Sequence, residues 1–370
     1  MREVMDDLVA AVDGGHRAGL VTVVRTFQSA PRPPGASMVV SHTGEAVGSV
    51  SGGCIEAAVY ELAGEVVAGR EPTMQRYGVS DDDAFAVGLT CGGTIDVFVE
   101  AVSGETFPQL PAVADAVARG EPVAVATVVS GPGDVGAHLV VGAEHVSGTL
   151  GGQRLDDAVA DDARGMLEQG MTGVRRYGAD GERRMDDLEV FVQSFAPRPR
   201  MLVFGAIDFA AALVRVGRFL GYHVTVCDAR PVFATPRRFP DADEVVVSWP
   251  HDYLAEAEVD ERTVVCVLTH DPKFDVPLLE AAVRTPAAYI GVMGSRRTHE
   301  DRMARLREQG VSDAELARLS SPLGLDLGGR TPEETAVSIA AEIVAARWGG
   351  TGRRLRDIGG PIHRDERGTA

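Results

Sequence analysis

The chain has 370 residues, 45% of them hydrophobic, and a formal net charge of −18. That length allows two or three domains with cores of their own, while the acidic balance argues against a nucleic-acid partner, whose phosphates need a basic footprint. The acidic start, Met1-Arg2-Glu3-Val4-Met5-Asp6-Asp7, is no basic leader and no apolar run reaches membrane-spanning length, so a cytoplasmic protein with no membrane contact is expected.

Residues 1–195 read as an internally duplicated α/β or α+β domain. Gly35-Ala36-Ser37-Met38-Val39-Val40, Gly48-Ser49-Val50-Ser51-Gly52-Gly53-Cys54, a helical stretch, Arg76-Tyr77-Gly78 and Asp96-Val97-Phe98-Val99 recur in order. Their counterparts are Gly136-Ala137-His138-Leu139-Val140-Val141, Gly151-Gly152-Gln153, a second helix-like run, Arg175-Arg176-Tyr177-Gly178 and Glu189-Val190-Phe191-Val192. Strands are expected at Leu20 to Val24 and Val123 to Val129, and a helix at Ile55 to Ala68. On this register Cys54 falls opposite Gln153, and the loop Gly88 to Gly93 has no second copy. Both cysteines of the first copy are therefore dispensable to the scaffold.

Phe195-Ala196-Pro197-Arg198-Pro199-Arg200 breaks helix and strand alike, because two prolines remove donors and fix φ, and marks a boundary. Beyond it, over 200–348, strands at Met201 to Phe204, His223 to Cys227, Thr263 to Leu268 and Ala288 to Met293 alternate with helices, which predicts a doubly wound parallel sheet. Thr331-Pro332-Glu333-Glu334 is a capping box with proline at the first helical position, opening a helix to about Trp348. The Gly/Arg-rich residues 349–370 are expected to be a flexible tail.

Four cysteines without paired spacing read as reduced thiols. Cys227 and Cys266 lie in apolar runs and read as strand filler. Cys54 and Cys91 differ, each beside a glycine pair, Gly52-Gly53 and Gly92-Gly93, that exposes backbone amides and lets a bulky ligand approach. Cys54 precedes a helix, whose N-terminal field favours thiolate, and a soft thiolate such as Cys91 suits a soft metal or a sulfur-transfer step. In the second half, Gly205 follows a strand and Asp228 ends the next one, a dinucleotide-fold arrangement, yet Ile207 replaces the second glycine and Asp208 adds charge where a phosphate would sit. NAD(P) is accordingly not expected. Asp228 and Arg230 read either as ribose or phosphate ligands or as a solvated strand end. Thr269-His270-Asp271 and Gly294-Ser295-Arg296 lie at strand ends where open α/β sheets bind ligands; the competing readings are a turn and a helix N-cap.

Gly48 to Glu56 (GSVSGGCIE), Leu89 to Gly93 (LTCGG), Val226 to Pro240, Leu268 to Asp275 (LTHDPKFD), Tyr289 to Arg297 (YIGVMGSRR) and Ser321 to Ile343 resemble the XdhC/CoxI family along nearly the whole chain. The resemblance implies an N-terminal family domain followed by a Rossmann-like domain. It also implies a maturation factor, rather than a stand-alone catalyst, that binds molybdenum cofactor as molybdopterin or its dinucleotide. Such a factor supports sulfuration of the cofactor and its insertion into an apo molybdenum hydroxylase of the xanthine dehydrogenase or carbon monoxide dehydrogenase type. Cys91 matches the family's cofactor-binding cysteine, hence a metal contact, and Cys54 the second motif cysteine. A cysteine desulfurase and a second copy of this chain in a homodimer are the further partners expected. The rival readings are an NAD(P)-dependent oxidoreductase with His270 as acid/base and a docking scaffold without cofactor.

Overall fold

A computed structural model describes residues 1–27, 30–78, 93–183 and 185–359. They fall into two compact units, Met1–Pro197 and Arg198–Gly359.

In the first unit one motif occurs twice. The first copy comprises α1 (Met5–Asp13), β1 (Ala18–Phe27), β2 (Ser37–Val40), β3 (Ala46–Gly48), α2 (Glu56–Val67), β4 (Thr73–Tyr77) and β5 (Thr94–Val102). The second comprises α3 (Leu110–Arg119), β6 (Val123–Ser130), β7 (His138–Gly142), β8 (Val146–Gly148), α4 (Gln153–Gln169), β9 (Gly173–Tyr177) and β10 (Leu188–Phe195). The sheets run β3-β2-β1-β5-β4 and β8-β7-β6-β10-β9, antiparallel throughout, so the expected duplication is present strand for strand.

Strand alternation sends β1 residues to opposite faces. Val21 and Val23 pack under Val59, Ala63 and Val66 of α2, while Leu20 joins Val39, Val123, Val125 and Val140 in a layer shared by both sheets. The α2 positions Val59, Leu62, Ala63 and Val66 follow helical spacing and are all buried, each large one contributing about 1.5–3 kcal/mol by leaving water. Val59→Asp would place an unpaired charge in that core. Arg25 joins the copies, reaching Asp96 at 3.6 Å and Glu189 at 2.5 Å.

The second unit is a parallel sheet of β11 (Arg200–Phe204), β12 (His223–Asp228), β13 (Glu244–Val247), β14 (Val264–Val267), β15 (Tyr289–Val292) and β16 (Leu319–Ser320), ordered β13-β12-β11-β14-β15-β16. Its helices are α5 (Asp208–Phe219), α6 (Pro250–Glu256), α7 (Pro272–Ala282), α8 (Arg296–Glu308), α9 (Asp313–Leu316) and α10 (Pro332–Trp348). One face of the sheet packs on α5 and α10, the other on α6, α7 and α8. This is the Rossmann order, with its switch point between β11 and β14. The capping box at Thr331 and Glu334 forms, and Gly349 closes α10 in the left-handed region, as the sequence requires. Strands β13 and β16 and helix α6 are additions to the sequence reading. Of the expected tail, Leu355–Asp357 makes a short 3-10 turn, and 360–370 lies outside the described residues.

Candidate functional site

In the first unit the glycine-rich loop before α2 is wound around the Glu56 carboxylate. Ser49 Oγ and the Val50, Ser51, Gly53 and Ile55 amides donate to it at 2.7–3.2 Å, as does Ser51 Oγ. The Gly52 amide donates to Ser49 Oγ and the Cys54 amide to Ser51 Oγ, both at 2.9 Å. Burial alone would raise the Glu56 pKa, but the Ser51 and Ser49 hydroxyls and the loop amides outweigh it and hold it at about 2. This corrects one expectation: the Gly52 and Gly53 amides are not offered to a ligand, because Ser49 and Glu56 already accept them. Both glycines are exposed, and among the described residues nothing lies within 4 Å of where either Cβ would stand.

Cys54 is half-buried and, with Tyr77, packs against the rim of the core beneath α2. Its counterpart also needs correcting. Asp156 accepts from Thr149 Oγ1 and the Leu150 amide, as Glu56 does from Ser49 Oγ and the Val50 amide. The constant offset linking Gly48 with Gly148, Glu56 with Asp156 and Tyr77 with Tyr177 sets Arg154, not Gln153, opposite Cys54. The error arose because α4 starts a turn earlier than α2. Cys91 and Gly92 lie outside the described residues; Gly93 is buried at the entrance to β5. Among the described residues no group of three or more His, Cys, Asp and Glu side chains could hold a metal. Cys227 and Cys266 are buried in β12 and β14, and burial pushes both thiols up to about 12, which leaves them poor nucleophiles.

In the second unit the candidates lie along the carboxyl edge of the sheet. Gly205 leaves β11 with φ +110°, and a Cβ there would come within 3.0 Å of Thr269 Cγ2 and 3.1 Å of the Thr269 amide, so glycine permits the approach of β11 to the end of β14. Asp228, 2% exposed, accepts from the Ala206 amide at 2.8 Å and from the Arg230 amide and guanidinium at 2.7–2.9 Å. Burial raises the Asp228 pKa, but the Arg230 and Ala206 hydrogen bonds override it and hold the carboxyl below the usual range. Asp228 therefore locks the turn after β11 instead of presenting a carboxylate to a ribose. Ile207 caps α5 with no side-chain bond, and Asp208 projects into solvent.

One strand further, Thr269 Oγ1 donates to buried Asp275 on α7, which also accepts Arg302 Nη2 of α8 at 2.8 Å. Arg302 Nη2 donates to the Met293 carbonyl at 3.2 Å as well, while Nη1 has no acceptor among the described residues. Gly294, at φ +156°, lies against it: a Cβ would stand 3.4 Å from Nη1. Ser295 caps α8, accepting the Thr298 amide at 3.1 Å, and Arg296 is exposed in the first turn. Asp271 caps α7 and pairs with Lys273 at 3.1 Å. His270 is exposed at the turn.

Direct contacts thus link Gly205 to Thr269, Thr269 through Asp275 to Arg302, and Arg302 to Gly294; Asp228 and Arg230 adjoin through Ala206. His270 and Asp271 stand outside that chain of contacts. Sequence reasoning missed Asp275, Arg302 and Glu56. The available signal for Arg302 was its position two helical turns beyond the Ser295 cap, on the face α8 turns to the core.

Two family models match this chain, one described as the XdhC and CoxI family over residues 11–78 and 116–178, the other as the XdhC Rossmann domain over 201–343. A Bacillus subtilis (strain 168) protein, named as a probable subunit of xanthine dehydrogenase, is 28% identical over 342 residues, covering 92% of this chain and 96% of its own length. The Escherichia coli (strain K12) "Molybdenum cofactor insertion chaperone PaoD" is 28% identical over 346 residues, 94% of this chain and 88% of its own. A solved structure described as a xanthine dehydrogenase (BH1974) from Bacillus halodurans superposes with a TM-score of 0.68 at 25% identity, covering 96% of this chain and 97% of that one. A twice-built antiparallel unit joined to a parallel sheet of Rossmann order, matched over most of the chain, makes this protein a member of the XdhC and CoxI family.

Proposed function

We propose that this protein is a maturation factor that binds molybdenum cofactor, supports its sulfuration and inserts it into an apo molybdenum hydroxylase of the xanthine dehydrogenase or carbon monoxide dehydrogenase type. The observation that carries the reading is the similarity, along 94% of the chain, to a relative named as a molybdenum cofactor insertion chaperone. The carboxyl edge of the Rossmann sheet suits the phosphate-bearing end of such a ligand, because a buried guanidinium with one unmatched nitrogen among the described residues lies close beneath the Gly294 turn at the start of α8. Gly205, Thr269, Ser295 and Arg296 border the same edge, and Cys91 is the proposed soft ligand for the metal, with Cys54 the second thiol. When bound, the cofactor supplies the molybdenum chemistry; the residues of this chain bind, orient and shield it. The proposed setting is the cytoplasm, with a homodimer as the working form and a cysteine desulfurase supplying sulfur.

The strand order also suits a dinucleotide. Against that rival stand Ile207 at the turn and Asp228, which is already occupied by Ala206 and Arg230. NADH added to the purified protein is expected to give neither fluorescence transfer nor thermal stabilisation. The decisive measurement is molybdenum and pterin content of protein purified from a host that makes the cofactor. Parent protein is expected to carry both and Cys91→Ala to lose most of the molybdenum; a Cys91→Ala protein as fully loaded as the parent sinks the assignment.

A further inference from the structure

Arg302 is 4% exposed and uses only half of its guanidinium. Nη2 serves Asp275 and the Met293 carbonyl, whereas Nη1 is buried without an acceptor among the described residues. A buried, unmatched donor on a charged group is costly, and such costs persist where a ligand completes the bonding. Nη1 faces the turn that starts α8: a Cβ on Gly294 would crowd both it and Thr298, at 3.4 and 3.3 Å.

The helix that starts there is charged against its own dipole. α5, α7 and α10 each carry an acid in the first turn, but α8 has none and begins Arg296-Arg297. Both arginines are exposed, and neither has an ion pair among the described residues. Cations at a helix N-terminus are unfavourable unless an anion joins them. Asp275 neutralises Arg302, while Arg296 and Arg297 stand at the helix N-terminus with no acid in the first turn and Glu300 and Asp301 only in the second, which suits a dianion better than a carboxylate.

We propose that Arg302 Nη1, the Gly294-Ser295 turn and the first turn of α8 form a receptor for a phosphate monoester. Asp275 and Thr269 hold the guanidinium in place beneath it. The inference deepens the function proposed above and rests on it for the molecule that bears the phosphate; pterin and nucleotide sources share this chemistry.

Calorimetric titration of the full chain with inorganic phosphate, cytidine monophosphate and acetate tests the site. Phosphate and the nucleotide should bind and acetate should not; tighter binding of the nucleotide than of phosphate would assign the source as a nucleotide form. Arg302→Lys keeps the charge beside Asp275 but loses the second arm, and should weaken phosphate binding about tenfold or more, the scale of one lost charged hydrogen bond. The double variant R296Q/R297Q is on the surface, folds independently of the buried pair, and should weaken binding and flatten its salt dependence. Phosphate binding equal in parent, Arg302→Lys and R296Q/R297Q, or absent from the parent, overturns the proposal. Molybdenum retained by an Arg302→Lys protein whose phosphate affinity is unchanged would sink this receptor and leave the function standing. Arg302-dependent phosphate binding in a protein that never carries molybdenum would do the reverse.

Discussion

The two copies in the first unit share every strand pairing and differ in how they approach their main helix. In the first copy a seven-residue loop, Ser49 to Ile55, folds onto the Glu56 carboxylate, which accepts from both hydroxyls and four amides. In the second, Asp156 accepts from Thr149 and Leu150 alone among the described residues, and α4 begins a turn earlier at Gln153. One extra methylene lets the glutamate reach over the loop, and the loop in turn carries Cys54 at its end. The difference teaches that the glycine pair beside Cys54 shapes a rigid loop rather than an open amide cradle.

The largest test of that contrast is deletion of the two carboxylates. Glu56→Ala leaves several loop donors without an acceptor and is expected to cost about 3 kcal/mol, against about 1 kcal/mol for Asp156→Ala, read by urea denaturation. Equal losses would mean that the two loops are held alike. A smaller effect should appear in acid. Because the folded Glu56 pKa, about 2, lies below its ordinary 4.5, its contribution is present above pH 4.5 and lost as pH falls toward 2. Glu56→Gln should therefore flatten the stability profile in that window alone; a profile parallel to that of the parent would remove the carboxylate from the account. The smallest effect is at the matched arginines. Arg76 meets the buried Asp96 at 2.6 Å, whereas Arg176 meets the more exposed Glu189 at 3.2 Å. Arg76→Gln is expected to cost about 1 kcal/mol, with Arg25 still beside Asp96, and Arg176→Gln under about 0.5 kcal/mol. The reverse order would show that the second copy, not the first, depends on its edge ion pair.

Much of the fold was legible because it rests on local signals. The Val59, Leu62, Ala63 and Val66 spacing marked α2, the prolines after Phe195 marked the break between units, and Thr331 to Glu334 marked the start of α10. Strands β13 and β16 were missed because Glu244–Val247 is a short edge strand and Leu319–Ser320 is two residues long. At the candidate site the strand-end residues Gly205, Thr269 and Gly294 could be read from sequence, since a glycine or hydroxyl directly after an apolar run has a position before it has a partner.

Partners were another matter. Asp228 reads as either a ribose or phosphate ligand or a solvated strand end until the Ala206 amide is seen on it, and the Gly52-Gly53 amides read as open to a bulky ligand until Ser49 and Glu56 are seen to accept them. Sequence alone determined the duplicated unit, the parallel sheet and the buried setting of Cys227 and Cys266, because periodicity and turn chemistry are encoded over a few residues. Only the tertiary structure decided which donors are already taken and that Arg302 keeps one unused. Residues 269, 275, 294 and 302 sit on a strand end, two helices and a turn, and hydrogen bonding across such distances depends on how those elements pack, which no local pattern records.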